Sequence, residues 1–427
     1  MEKAVKPSFV VSLVSLGTLL EWAEYVFYGY MAITLSSLFF PDNDPNLSLL
    51  KTFGIFASGY LMRPLGAIIF GHIGDRLGRK PALFGSLFLM GSATFAIGCL
   101  PLYSTVGLLA PLFLLLLRML QGFAMGGEYN GASIFLIERS PKNFPCLAGS
   151  WVSAAAALGM VVGGVGAFMV SHPLAAPWAW RVPFLLGGVS CFIGLWLRKE
   201  IPEPILNKEN SLSTLPLLEV FKRCKKSFGV VAAIAAFTGI FVYIGNIYMV
   251  VFLKKYAALP THHATLFTIG GEMIVALMIP LMAYLADQSD PMRQYRIGLL
   301  LIALFSPAIF LLASTGHYGL IFIALLLYGI LNSVVCGPMM KILYDQFPPS
   351  VRYSGISFAW SLSAAIFSGT APMVAQALTM QYDWMLGPSF YISFAALLTY
   401  AACKLLSQTE PSRATTSPSF TLKRLTD

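Results

Sequence analysis

Residues Arg118–Glu138 read RMLQGFAMGGEYNGASIFLIE, a run apolar enough to cross a bilayer that still carries an arginine, a glutamine and two glutamates. A charged side chain at mid-bilayer costs about 2.5–3.5 kcal/mol on insertion scales, so such groups face a bundle interior or a wet cavity and pair there. On a helix, Arg118, Gln121, Met125 and Glu128 fall at i, i+3, i+7 and i+10, along one stripe. Gly122, Gly126, Gly127 and Gly131 would let a neighbouring helix come close, as small residues do in membrane bundles. The stretch is therefore expected to be one membrane helix with a polar, cavity-facing stripe and a thin, tightly packed side.

The rest of the chain agrees with that reading. Of 427 residues 57% are hydrophobic and only 11% charged, against about 25% charged in ordinary globular domains, and mean hydropathy is +0.74. A span needs roughly 20 apolar residues. Twelve runs approach or exceed that length: Phe9–Phe40, Leu47–Phe70, Pro81–Leu100, Val106–Glu138, Cys146–Ser171, Trp180–Leu197, Phe228–Tyr256, Thr265–Ala286, Ile297–Ser314, Tyr318–Ile342, Tyr353–Met380 and Trp384–Leu405. The chain is expected to be an all-α membrane protein of twelve transmembrane helices. Apart from Arg63 and Arg118 within spans and Lys51, Arg181, Lys254 and Lys255, every lysine and arginine falls in the N-terminal arm, the tail, an even-numbered loop or, for Lys341 and Lys404, the end of an even-numbered span. The positive-inside rule then puts both termini in the cytoplasm, in a cell inner membrane. The net charge of +9 follows from those loops and calls for no nucleic acid. A cleavable signal peptide is not expected, because the first run exceeds an h-region of about 7–15 residues and holds Glu21 and Glu24.

The longest polar segment, Arg198 to Ser227, separates two sets of six runs. The expected organisation is an N-terminal six-helix bundle over residues 1–198, a cytoplasmic connector over 199–227, a C-terminal six-helix bundle over 228–407 and a disordered cytoplasmic tail over 408–427. Within the connector, Leu217, Leu218, Val220 and Phe221 alternate loosely with Glu219, Lys222 and Arg223, which suggests a short helix on the membrane surface. Acidic residues recur at matching places. Asp75 and Asp287 close the second and eighth runs and Glu138 and Asp345 the fourth and tenth, at offsets of 212 (287 − 75) and 207 (345 − 138). Duplicated halves would place them so.

Gly71-His-Ile-Gly-Asp75-Arg76-Leu-Gly78-Arg79-Lys80 resembles the signature loop of the major facilitator superfamily, and Arg118-Met-Leu-Gln121-Gly122 resembles its fourth-helix signature. Within that superfamily several stretches are similar to the metabolite:proton symporter group of proline/betaine, ketoglutarate and shikimate carriers. These are Leu20-Glu21-Trp22-Ala-Glu24-Tyr25 with Tyr28-Gly29, Arg63-Pro64-Leu65-Gly66, Gly126-Gly127-Glu128-Tyr129, Trp180-Arg-Val-Pro-Phe184 and Phe347-Pro348 with Val351-Arg352-Tyr-Ser-Gly355. The resemblance implies two pseudo-symmetric six-helix bundles that rock about a central site. It also implies a gating latch between the halves, for which Gly71, Asp75, Arg76, Gly78, Arg79, Glu138 and Arg352 are the candidates, with Arg352 as partner of Asp75. The group usually has Asp where Glu24 stands, and no C-terminal coiled coil is expected from residues 408–427, so an osmosensing proline/betaine carrier is a poor match.

Glu24 and Arg118 are the candidate proton-coupling pair: burial favours the neutral carboxyl, and a fixed cation beside it favours the ionised form. Glu21, Tyr25 and Tyr28 share a face at i, i+4 and i+7. With Gln121, Glu128, Tyr243, Asn246, Tyr248, Glu272 and Trp360 they are the candidate substrate-binding residues. Arg63 reads slightly more as a structural side chain that snorkels to the surface than as an anion site, and Glu128 and Glu272 read as ligand contacts or as packing. Aromatics with carboxylates suit a quaternary ammonium, whereas Arg63 and Arg118 suit a carboxylate; both readings stand at this stage.

His72, His172, His262, His263 and His317 lie in or beside loops and form no ligand set, the six cysteines show no metal or disulfide spacing, and no nucleophile–base cluster appears. Neither a metal, a cofactor nor an enzyme is expected. The expectation is a secondary transporter, working as a monomer in the lipid bilayer, that takes up a small polar metabolite (organic acid, betaine or amino-acid-like) with protons by alternating access. An exporter of a siderophore or drug-like compound, or a non-transporting sensor on the same fold, is the alternative.

Overall fold

The computed structural model describes residues 7–77, 79–126, 128–140, 143–198, 216–349, 351–381 and 384–406. Twelve long helical units run through them: α1 Pro7–Tyr30, continued by Ala32–Phe39; α2 Pro45–Leu77; α3 Arg79–Gly98; α4 Leu109–Glu138; α5 Pro145–Ser171; α6 Arg181–Arg198; α7 Lys225–Tyr256; α8 Thr261–Asp287; α9 Pro291–Ala313; α10 Tyr318–Asp345; α11 Arg352–Met380; and α12 Gly387–Leu406. No strand occurs among the described residues. Eight of the twelve, α2, α4, α5 and α7–α11, could cross a membrane on length and composition alone. The others are carried into the bundle by packing, α1 against α5, α3 against α6 and α12 against α9.

Local sequence sets several helix ends. Asp290 caps α9 by accepting from the Met292 N–H at 2.9 Å, with Pro291 in the first turn, where its missing N–H costs nothing. Gly107 and Gly316, each in the loop before the fourth helix of its half, take left-handed φ values of 58° and 71°, which other residues adopt only with strain. Three of the four cations expected off the positive side have partners. Lys51 donates to Asp42 Oδ2 at 2.7 Å and thereby holds that carboxyl below its usual range, Arg181 donates to the carbonyls of Gly98 and Leu100, and Lys255 donates to that of Thr379.

The glycines of α4 do what small residues allow. A Cβ on Gly122 would fall 1.6 Å from the Gly59 carbonyl oxygen, and one on Gly126 2.3 Å from the Ala67 backbone nitrogen, so α2 and α4 touch backbone to backbone. The helix is interrupted, with Leu109–Ala124 and Glu128–Glu138 forming separate stretches. A helical Pro216–Arg223 occupies the expected connector position; its Val220 is buried and its Phe221 packs tilted against Phe228 and edge-on against Phe358. The remainder of the connector (199–215), Gly127 and the tail from 407 lie outside the described residues.

With odd helices running one way and even helices the other, α1 begins and α12 ends on the same face, called the terminal face below. The first six and last six helices meet along α5 with α8 and α2 with α11. Contacts between them close both ends. On the terminal face, Asp287 accepts from the Cys146 and Leu147 N–H groups at 2.8 and 2.9 Å, and deeper within the spans Ser361 Oγ donates to the Gly126 carbonyl at 3.0 Å. On the opposite face, Gln376 Nε2 donates to Asn46 Oδ1 at 3.3 Å and the rings of His172 and His262 lie 5.5 Å apart. The conformation is occluded.

Candidate functional site

Between the two sets of helices lies a cavity of about 60 Å³, well below the roughly 300–1,000 Å³ of small-molecule sites. Room for a metabolite therefore requires the halves to part. Arg63 of α2 and Glu272 of α8 both line it and both are buried, at 6% and 1% exposure. Arg63 Nη2 donates to Met125 Sδ at 3.4 Å, and the guanidinium lies 4.0 Å over the Tyr60 ring and 4.5 Å over Tyr25. Its Nε has no hydrogen-bond partner, nor has Glu272 Oε2. Arg63 thus does not snorkel. Its planar cation is held by stacking, with an unused donor beside the cavity.

Around these poles stand aromatic side chains. Trp22, Tyr129 and Trp360 form a continuous wall, with ring centroids 5.4 Å and 5.8 Å apart. Tyr60 donates its hydroxyl to that of Tyr243 across the two halves. In α7 the backbone makes a π-helical turn at Ile244–Tyr248, a local irregularity common at functional sites, and Asn246 within it donates to the Tyr328 hydroxyl at 3.0 Å.

The expected direct pair of Glu24 and Arg118 is not formed in this conformation. Consecutive residues on a helix are about 100° apart, and this separates Glu24 from Tyr25. Tyr25 turns toward Arg118, whose guanidinium lies 4.5 Å over its ring and 4.6 Å over that of Tyr28. Glu24 turns toward α3 and α6, where Ser190 Oγ donates to Oε1 at 2.9 Å, Cys191 Sγ lies 3.1–3.2 Å from both oxygens and Thr94 Oγ1 lies 3.4 Å from Oε2. The two charged groups are joined indirectly: Arg118 Nη1 donates to Gln121 Oε1 at 2.8 Å, and Gln121 Nε2 donates to Thr94 Oγ1 at 2.7 Å. Packing of α4 onto α2 and α3 turns the Arg118–Gln121 stripe into the first half rather than onto the cavity.

Of the expected substrate residues, Tyr243, Glu272 and Trp360 line the cavity. Glu21, Tyr25, Tyr28, Gln121, Asn246 and Tyr248 do not. Tyr28 donates to the Thr52 carbonyl at 2.9 Å and Tyr248 shares a 2.7 Å hydrogen bond with Thr379, roles that hold helices together; Glu21 is buried on α1. The Glu128 side chain lies outside the described residues. Sequence reading missed Trp22, Tyr60, Tyr129 and Asn332 as lining residues, although Trp22 and Tyr129 stand inside motifs already singled out. It also missed Thr94, Ser190 and Cys191 around Glu24, which no sequence signal marks.

Of the gating residues, Gly71 lies within α2, which runs to Leu77, and Arg79 opens α3, while Gly78 and the side chains of Asp75, Arg76 and Arg79 lie outside the described residues. Arg352 donates through Nε to the Tyr344 and Phe347 carbonyls and lies 3.9 Å from Glu138 of the other half. Asp287 was not among the expected gating residues and makes the shorter cross-half contact.

Twelve helices in two sets of six, around a closed and mostly apolar cavity onto which Arg63 and Glu272 face, define a membrane carrier. The Major Facilitator Superfamily profile matches residues 22–368 and 264–425, and the chain belongs to that superfamily. It is 30% identical over 405 residues to the glycine betaine/proline/ectoine/pipecolic acid transporter OusA of Dickeya dadantii, covering 91% of this chain and 81% of that one. It is 30% identical over 407 residues to the proline/betaine transporter of Escherichia coli K12, with the same coverage. Among solved structures, a D-xylose-proton symporter superposes with a TM-score of 0.71 at 18% identity, covering 95% of this chain and 98% of the other. The human organic anion transporter MFSD10 does so with a TM-score of 0.65 at 17% identity, covering 93% and 100%; these two likenesses concern the fold. The protein is a multi-pass secondary transporter and not an enzyme.

Proposed function

We propose that the protein takes up a small zwitterionic metabolite, of the betaine or amino-acid kind, together with protons. One observation carries this reading: Arg63 and Glu272, facing the same cavity from opposite halves, each keep a buried polar atom unpaired. A buried charged donor or acceptor left unsatisfied costs about 1–3 kcal/mol or more. A ligand carboxylate at Arg63 and a ligand ammonium at Glu272 relieve both costs at once and draw the halves together. A dicarboxylate would satisfy Arg63 and repel Glu272. The aromatic wall of Trp22, Tyr129 and Trp360 supports a methylated cation, which binds to ring faces. The names of the relatives, transporters of proline, glycine betaine, ectoine and pipecolic acid, support the same class.

Glu24 carries the proton in this reading. It sits outside the cavity, linked through Thr94 and Gln121 to Arg118, and Arg118 and Arg63 both stack on Tyr25, so cavity charge and Glu24 charge bear on shared groups. The terminal face is cytoplasmic, the membrane is the bacterial cytoplasmic membrane, and one chain supplies the whole site, so a monomer suffices. Uptake of radiolabelled glycine betaine or proline into right-side-out proteoliposomes tests the proposal. Accumulation that an imposed inward proton gradient drives and an uncoupler abolishes is the expected result. Flux that runs only outward, or that ignores the uncoupler, overturns it.

A further inference from the structure

Glu24 stands in a pocket whose two facing hydroxyls each have a second acceptor. Thr94 Oγ1 lies 3.4 Å from Glu24 Oε2 and 2.8 Å from the Met90 carbonyl. Ser190 Oγ lies 2.9 Å from Glu24 Oε1 and 2.8 Å from the Gly187 carbonyl. Each hydroxyl owns one proton and can give it to one acceptor at a time. The orientation of Thr94 is constrained further. Arginine carries only donors, so Gln121 must present Oε1 to Arg118 and Nε2 to Thr94. The Thr94 oxygen therefore accepts from Gln121, and its own proton is free to turn to Met90 or to Glu24. Hydroxyls bonded back to their own helix are common; two of them converging on one buried carboxyl are not accounted for by that habit.

We propose that Thr94 and Ser190 form a hydroxyl toggle that satisfies Glu24 in both charge states without moving a helix. When Glu24 is ionised, both hydroxyls and the Cys191 thiol donate to it. When Glu24 holds a proton, it donates that proton to one of these groups, and the hydroxyls swing to Met90 and Gly187. Gly187 makes room for the long glutamate arm: a Cβ there would lie 3.0 Å from Glu24 Cγ. Few other charges bear on the pocket. Glu21 is one turn back on α1 and Cys191 comes from α6, while Arg118 of α4 reaches Glu24 through Gln121; α5, packed along α1, contains no charged residue. Thr94 and Ser190 are thus positioning residues, and the inference rests on the coupling role proposed for Glu24.

The test is a pH titration of the Glu24 carboxyl C=O stretch by infrared difference spectroscopy on the full-length protein in lipid, with Glu24→Gln identifying the band. Alongside it runs the pH profile of glycine betaine uptake. Thr94→Val and Ser190→Ala remove two donors to the ionised form, whereas the protonated form needs one acceptor, and Cys191 Sγ remains within reach. Together they are expected to move the midpoint of the band up by at least about one pH unit, and the uptake profile with it. Each single variant moves it less, and Thr94→Ser restores it. A band that titrates as in the parent when both hydroxyls are gone, or a Thr94→Ser variant that behaves like Thr94→Val, overturns the toggle. Uncoupler-insensitive uptake with a band that still shifts overturns the transport reading instead, so the two failures are distinguishable.

Discussion

Asp287, the last residue of α8, accepts a hydrogen bond from the backbone N–H of Cys146 at 2.8 Å, and a second from Leu147 at 2.9 Å, at the start of α5. The first turn of a helix has free N–H groups and a partial positive charge, so a carboxylate there is held by both hydrogen bonding and the helix field. Because α8 and α5 belong to opposite halves, this cap is also a latch on the terminal face. It must break for that face to open.

Asp287→Ala should therefore favour the conformation open at the terminal face. Hydrogen bonds to charged groups contribute about 1.5–3 kcal/mol each, so loss of both shifts the balance by at least about tenfold. Cys146 is fully buried beside the latch and reports on it directly. In a variant keeping only that cysteine, a membrane-impermeant maleimide applied from the terminal face should label it correspondingly faster. An unaltered labelling rate would show that Asp287 does not gate.

Glu24→Gln should lose accumulation driven by a proton gradient while exchange of labelled for unlabelled substrate continues, since a permanently neutral side chain mimics one protonation state. Paired accumulation and counterflow assays measure this. Persisting proton-driven accumulation would remove Glu24 from the coupling step.

Arg63→Lys keeps a positive charge but discards the planar fork and its stacking on Tyr60 and Tyr25. Desolvated stacking of this kind contributes up to about 2 kcal/mol, so KM for a zwitterion should rise roughly tenfold or more. Glu272→Gln should weaken zwitterions and spare analogues that lack the cationic end. Equal losses for both ligand types would argue against Glu272 as the cation pole.

Gly122→Val puts methyl groups where the Gly59 carbonyl already stands, and no side-chain rotation relieves a clash with backbone. Thermal unfolding in detergent should show a severely destabilised or unrecoverable protein. Gly54→Ala, where a Cβ meets nothing within 4 Å, should leave stability unchanged or raise it by about 0.5–1 kcal/mol. A Gly122→Val variant with parental stability would show that α2 and α4 can separate freely.

Much of the architecture was legible in the order of residues. Apolar run length located the spans, and the cost of intramembrane charge marked Glu24, Arg63, Arg118 and Glu272 as residues needing a reason. The spacing of Asp75 and Asp287 hinted at a repeat, and Asp287 does occupy a helix-capping position between halves. What the letters left open was the direction each marked residue faces. Arg118 and Gln121 share a stripe, as periodicity requires, yet that stripe meets Thr94 and Tyr25 instead of the cavity. Glu24 and Arg118, expected as a pair, are two hydrogen-bonded side chains apart.

The sequence by itself determined that this is a twelve-helix carrier of the superfamily and which charges fall within its spans, because hydropathy and helical periodicity are properties of a chain read locally. The tertiary structure alone decided that Arg63 and Glu272 share a cavity, that Thr94 and Ser190 serve Glu24, and that Asp287 closes α5. A period of 3.6 residues specifies which side chains lie on a common face. Which neighbouring helix that face meets depends on packing between segments hundreds of residues apart, on glycines such as Gly59 and Gly122 that bring two backbones into contact, and no local pattern encodes it.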